Sequence, residues 1–126
     1  KVVLFAVPGA FTPTCSVQHL PGFVTNASNL RDKGADVVAC IAVNDPFVMA
    51  AWGKDRSAGE DVLMLSDGNA EFTSAIGLEM DGSGFGLGTR SQRYAMIIDD
   101  GVVSTLNVES GPGLEVSSAE TILEAL

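Results

Sequence analysis

Cys15 is the residue of this chain best placed for nucleophilic chemistry. It follows the apolar run Val2-Val3-Leu4-Phe5-Ala6-Val7 and a loop from Pro8 to Pro13, and it lies where the pattern turns helical. A helix start presents unpaired N–H groups and the positive end of the helix dipole, which favour a thiolate over a thiol. In open α/β sheets, sites gather at the carboxyl ends of strands, where this residue falls. An inert cysteine near a strand end is the commoner case, and on this context alone both readings stay open. Thr12, three residues upstream, carries a hydroxyl able to bond a substrate, to bond the sulfur, or to cap the helix. Pro8 and Pro13 stiffen the loop and would shield the sulfur from bulk water, although prolines taken alone more often only punctuate a loop. Cys40 sits inside Val37-Val38-Ala39-Cys40-Ile41-Ala42-Val43 and reads as core. His19, one helical turn past Cys15, could add positive charge there.

Other patterns carry less. One histidine and two separated cysteines do not make a tetrahedral zinc site, and no metal or cofactor is expected. The glycines of 77–88 miss the G-x-G-x-x-G spacing, because Gly84 and Gly86 are followed by Thr89, so no dinucleotide site is expected. Asn26-Ala27-Ser28 is a glycosylation sequon by letter only, inside a helical pattern.

These residues must be held by the elements around them. Residues 1–7 read as a strand buried on both faces. From Thr14 the residues Leu20, Phe23, Val24, Ala27 and Leu30 recur at helical spacing up to Gly34, a left-handed stop, and Pro21 should kink or split that helix. A second buried strand covers 36–43. Asn44 or Asp45 then caps a helix with Pro46 at its first position, running to about Lys54. Val62–Leu65 is a short strand, Ser66-Asp67 another cap, and Ala70–Ile76 a short helix. Gly77–Gly88 holds five glycines in twelve residues and reads as a long mobile loop. Arg93–Asp99 and Val102–Val108 are strands joined by Asp100-Gly101, a hairpin signal. Ser117-Ser118-Ala119-Glu120 reads as a capping box opening the last helix. The order predicts an α/β fold, a central mixed sheet flanked by helices, with the layout of the thioredoxin-like folds.

The 126 residues fit one domain, 1–126, and at 46% hydrophobic and 18% charged they can bury a core. The chain opens on Lys1 and runs straight into a core strand, so it is expected to lack an N-terminal segment, and with it any targeting signal. A net charge of −9 argues against nucleic acid and anionic membrane as partners. No apolar stretch approaches the roughly 20 residues of a membrane span. Two cysteines of unlike context suit a reducing compartment, and a cytoplasmic location is expected, with organellar targeting left open.

Pro8-Gly9-Ala10-Phe11-Thr12-Pro13-Thr14-Cys15-Ser16 resembles the active-site signature of the peroxiredoxins, Pro-x-x-x-Thr-x-x-Cys. With His19-Leu20-Pro21-Gly22-Phe23 it is similar to the type II (five-type) subfamily. The likeness continues through Val43-Asn44-Asp45-Pro46-Phe47-Val48, Trp52-Gly53 and Ser91-Gln92-Arg93-Tyr94-Ala95-Met96. The resemblance implies a thiol-dependent peroxidase. Cys15 would attack the terminal peroxide oxygen and become a sulfenic acid. Arg93, a distant residue brought beside it, would favour the thiolate and hold the peroxide oxygens. Thr12 would bond the peroxide and Pro8 would screen the sulfur. Without the resemblance, Arg93 reads as half of a surface ion pair, and Arg90 as a solvated neighbour.

The sulfenic acid needs a second thiol. The resolving cysteine of the two-cysteine branch is absent, since this chain has Val116 in the corresponding stretch, and Cys40 in mid-strand has little freedom to reach Cys15. The resemblance therefore implies an external thiol, glutathione with glutaredoxin or else thioredoxin, as co-substrate. It also implies a homodimer, with Phe11, Phe85 and Trp52 as contact candidates and His19 structural or near such a contact. Two other readings compete. A thiol–disulfide oxidoreductase would want Cys-x-x-Cys where this chain has one sulfur, and a thioredoxin-like redox sensor would react with peroxide only slowly.

Overall fold

A computed structural model describes residues 1–126. Its centre is a five-stranded sheet in the order β3-β2-β1-β6-β7, formed by β1 (Val2–Ala6), β2 (Val37–Ala42), β3 (Leu63–Ser66), β6 (Tyr94–Asp99) and β7 (Val102–Val108). β2 runs parallel to β1 and β3 parallel to β2, while β6 pairs antiparallel with both β1 and β7. Alternate residues of a strand face opposite ways, and the β-branched and aromatic runs of β1 and β2 are apolar on both sides for that reason. Val3, Phe5 and Val7 with Val38, Cys40 and Ala42 face one core, against Leu20, Phe23, Leu30, Met49, Trp52 and Ile122 of the helices. Leu4, Ala6, Ala39 and Ile41 face the other, with Tyr94 and Met96.

The first helix is split, as Pro21 predicts. A π-helical turn, Cys15–His19, runs into α1 (Leu20–Asp32). Leu20 N–H donates to the Cys15 carbonyl, a five-residue step, and Pro21 next to it has no N–H to continue the regular ladder. Gly34 ends the helix at φ 111°, where a side chain would be strained. Asp45 caps α2 (Pro46–Asp55) by accepting the Val48 N–H at 2.8 Å, and Asn44 turns back to accept the Ala10 N–H at 2.9 Å, tying down the loop before Cys15. Asp67 accepts the N–H groups of Phe72 and Thr73, covering the start of α3 (Glu71–Ala75).

Two expectations are corrected. The glycine-rich stretch 77–88 is not a structureless loop: β4 (Glu79–Asp81) pairs antiparallel with β5 (Thr89–Ser91) around a 3₁₀ turn at Ser83–Phe85. The glycines permit that close return, since a Cβ on Gly82 would meet Leu87 Cβ at 2.8 Å and the Gly88 carbonyl at 3.0 Å. The last helix, α4 (Ala119–Ala125), is capped by Ser118, which accepts the Thr121 N–H, one residue later than the predicted box. Ser117 is instead bonded to Glu109. No helix is long and apolar enough to cross a membrane.

Candidate active site

The buried β1 delivers the chain to the Pro8–Pro13 loop, and Cys15 opens the π-helical turn directly behind it. Phe11 in that loop has φ 65°, a conformation unusual for a side-chain-bearing residue and typical of loops held under constraint. The Cys15 sulfur has no exposed surface. Arg93, just before β6 and only 7% exposed, reaches it across the sheet end, with Nη2 3.2 Å from Sγ. The structure thus brings together two residues 78 positions apart, and Arg93 is not half of a surface ion pair. The guanidinium is a charged donor fixed on the sulfur in a site closed to water. Arg93 Nε–H has no partner within the protein.

Arg93 and Pro8 also line a groove of about 490 Å³, together with Met80, Phe85, Leu87 and Gln92. The Thr12 hydroxyl donates to the Gly9 carbonyl at 2.6 Å, so it neither caps the helix nor bonds the sulfur. Arg90 is tied down, contrary to its solvated reading: Nε donates to the Leu87 carbonyl at 2.8 Å and Nη1 to the Val43 carbonyl at 3.2 Å. Phe11 and Phe85 are exposed, but Trp52 is fully buried and donates its indole N–H to Ser16 Oγ at 2.9 Å, which removes it from any surface contact. Cys40 is also fully buried, and burial raises its thiol well above the usual range.

Sequence reasoning undervalued His19. Its ring is buried against Phe5 and Phe23, at centroid distances of 4.9 and 5.5 Å. Nδ1 lies 2.9 Å from Arg93 Nη1 and Nε2 lies 2.8 Å from the Ser117 carbonyl. A carbonyl only accepts and a guanidinium only donates, so the ring is neutral, with its proton on Nε2. Burial first, and the Arg93 charge second, push its pKa down to about 3. His19 therefore adds no positive charge; it holds the arginine. The four-residue spacing Cys15, His19, Phe23 along one helix face was the available signal.

A βαβ start continued by an antiparallel pair, with a buried cysteine at the first helix, defines a thioredoxin-like protein. The family model Redoxin matches residues 1–123. The chain is 59% identical to "Peroxiredoxin-2E, chloroplastic" of Arabidopsis thaliana over 128 residues, covering all of this chain and 55% of that protein. It is 53% identical to "Peroxiredoxin-2B" of the same organism, of which it covers 78%. Reduced Prx3 of Vibrio vulnificus, solved in complex with hydrogen peroxide, superposes with a TM-score of 0.96 at 65% identity, over all of this chain and 81% of that one. The chain belongs to the redoxin family and, within it, to the peroxiredoxins. It spans little more than half the length of the chloroplastic relatives.

Proposed function

We propose that residues 1–126 act as one thiol-dependent peroxidase unit that reduces hydrogen peroxide and small alkyl hydroperoxides through Cys15. The observation that carries this reading is the Arg93 guanidinium 3.2 Å from a buried sulfur. The Cys15 thiolate attacks the terminal oxygen of the hydroperoxide. The O–O bond breaks, the sulfur becomes a sulfenic acid, and the departing oxygen takes a proton and leaves as water or an alcohol. Charge spreads over the sulfur and both oxygens in the transition state, and fixed donors in a water-poor site stabilise it. Arg93 supplies those donors, its free Nε–H among them. Pro8 lines the same groove as Arg93 and screens the sulfur from bulk water on that side. The Thr12 hydroxyl, in swinging from the Gly9 carbonyl, is the second donor to the peroxide.

An external thiol then condenses with the sulfenic acid, releasing water. A second thiol attacks that mixed disulfide and regenerates Cys15. Glutathione with glutaredoxin, or thioredoxin, fills this role as co-substrate, and no other cofactor takes part. Cys40 is a poor resolver because it is fully buried in mid-strand. A thiol-reducing compartment, the cytoplasm or an organelle, and a homodimer contacting through exposed aromatics such as Phe85, 88% exposed, fit this reading.

The decisive experiment mixes the reduced protein with one equivalent of peroxide, with and without glutathione, and reads the products by mass spectrometry. A fast burst stoichiometric with protein, lost in Cys15→Ser, and a glutathione adduct on Cys15 are expected. A Cys15–Cys40 bridge would overturn the external-thiol route, and slow oxidation needing a large peroxide excess would overturn the peroxidase.

A further inference from the structure

Arg93 is held from both ends by one closed chain of hydrogen bonds. The Glu109 N–H, just past β7, donates to the Arg93 carbonyl at 2.9 Å. The Glu109 carboxylate turns the other way. Its Oε2 accepts the N–H groups of Glu115, Val116 and Ser117 at 2.9, 2.9 and 2.8 Å, and the Ser117 hydroxyl at 2.6 Å. The Ser117 carbonyl accepts the His19 Nε2–H, and His19 Nδ1 accepts from Arg93 Nη1. The remaining guanidinium nitrogen, Nη2, is the one that meets Cys15.

No lysine or arginine pairs with Glu109. Four donors from a single short loop meet its charge instead, and charge-assisted bonds of this kind are the strong ones. That loop has no sheet partner of its own between β7 and α4, and the carboxylate, together with the Ser118 cap of α4 that follows directly, fixes where the Ser117 carbonyl points. The carbonyl in turn decides the histidine tautomer: with its proton held on Nε2, the ring has only Nδ1 left to accept, and that lone pair faces the arginine. A ring free to take the other tautomer would present an N–H to a guanidinium N–H and push it away.

We propose that Glu109, acting through the 115–117 loop and His19, is a positioning residue that fixes the Arg93 guanidinium against the Cys15 sulfur. The proposal rests on the peroxidase reading only for its kinetic consequence; the bond chain itself is independent of it.

Because His19 is the only histidine, nitrogen NMR of the ¹⁵N-labelled protein reads this ring without overlap. At neutral pH we expect a protonated Nε2 and an unprotonated Nδ1; the opposite assignment overturns the proposal whatever the variants do. Glu109→Ala should abolish that fixed tautomer and reduce kcat/KM for hydrogen peroxide by between about 10-fold and 100-fold, the cost of misplacing a catalytic group. Glu109→Gln, whose side-chain oxygen can still accept from the loop, should recover most of the rate. His19→Phe keeps the packing against Phe5 and Phe23 but offers no acceptor, and adding Glu109→Ala to it should cost nothing further. Independent, additive losses, or a Glu109→Ala protein that melts earlier yet keeps the parent tautomer and rate, would overturn the proposal. A parent lacking a Cys15-dependent burst would instead sink the peroxidase reading, while the NMR assignment would still test the bond chain.

Discussion

Replacing Arg93 with methionine, nearly as long but neutral, isolates what the guanidinium contributes. Its Nη2 stands 3.2 Å from Cys15 Sγ. Two unit charges at that separation attract by about 5 kcal/mol at an effective dielectric of about 20. With Arg93 only 7% exposed, solvent screening takes little of this, but desolvating two charges takes more. Removing one fixed donor from an anionic transition state costs about 3–4 kcal/mol in well-studied sites, which falls inside that bound. At about 1.4 kcal/mol per decade, kcat/KM for hydrogen peroxide should fall by about 10²–10³-fold. The fold should lose far less. Arg93 pairs with no carboxylate, so its removal orphans the Nδ1 of His19 and takes the donor from the Cys15 sulfur, a weak acceptor as a thiol, a loss of about 1–2 kcal/mol. Stopped-flow peroxide consumption beside a thermal melt separates the two quantities. A folded Arg93→Met protein reacting within about threefold of the parent would refute the reasoning, since that is well under 1 kcal/mol of barrier.

Stability should depend on pH through His19. Its folded pKa of about 3 lies below the unfolded value of 6.5, so between these the unfolded chain binds the extra proton and stability falls as pH falls, by up to about 1.4 kcal/mol per unit. Urea unfolding at pH 7 and pH 5 should differ by on the order of 2 kcal/mol from this group, and His19→Phe should remove that difference; an unchanged slope would count against the buried neutral ring. Burial pushes the carboxylates of Asp67 and Glu109 up, but hydrogen bonds from Thr73 and Ser117 hold them low. They contribute stability that is present above their unfolded values of 3.8 and 4.5 and is lost as pH falls through and below them, beginning inside the lower part of the histidine window. Gly53→Ala places a Cβ 2.7 Å from Met64 Cγ. The overpacking, of about 1–3 kcal/mol, should outweigh the roughly 1 kcal/mol gained in helix propensity, lowering the melting temperature at an unchanged peroxide rate. Asp45→Ala removes the cap bond to Val48 and should cost about 1 kcal/mol by denaturant titration.

The elements that local chemistry writes were legible before any coordinates. The apolar runs of β1 and β2 announce strands covered on both faces, Pro21 marks where the helix breaks, and Asp100-Gly101 marks the β6–β7 hairpin. Glycine density in 77–88 misled, because glycine signals tight backbone return as readily as disorder, and here it allows the β4–β5 ribbon. The last helix start slipped by one because Ser117 and Ser118 are equally good caps in isolation, and Glu109, eight positions upstream across an irregular loop, claims the first of them.

Taken by itself, the sequence determined the nucleophile's setting, since a strand, a proline-bounded loop and a helix start are all short-range patterns around Cys15. It determined the signature that ties the chain to its relatives as well. Only the tertiary structure decided what that sulfur faces. Arg93 lies 78 positions away and His19 meets it from 74, and whether an arginine is solvated or buried beside a sulfur follows from strand order and packing, which no local pattern encodes. The tautomer of His19 and the reach of Glu109 follow from the same cause: a hydrogen bond chooses its partner by distance in space.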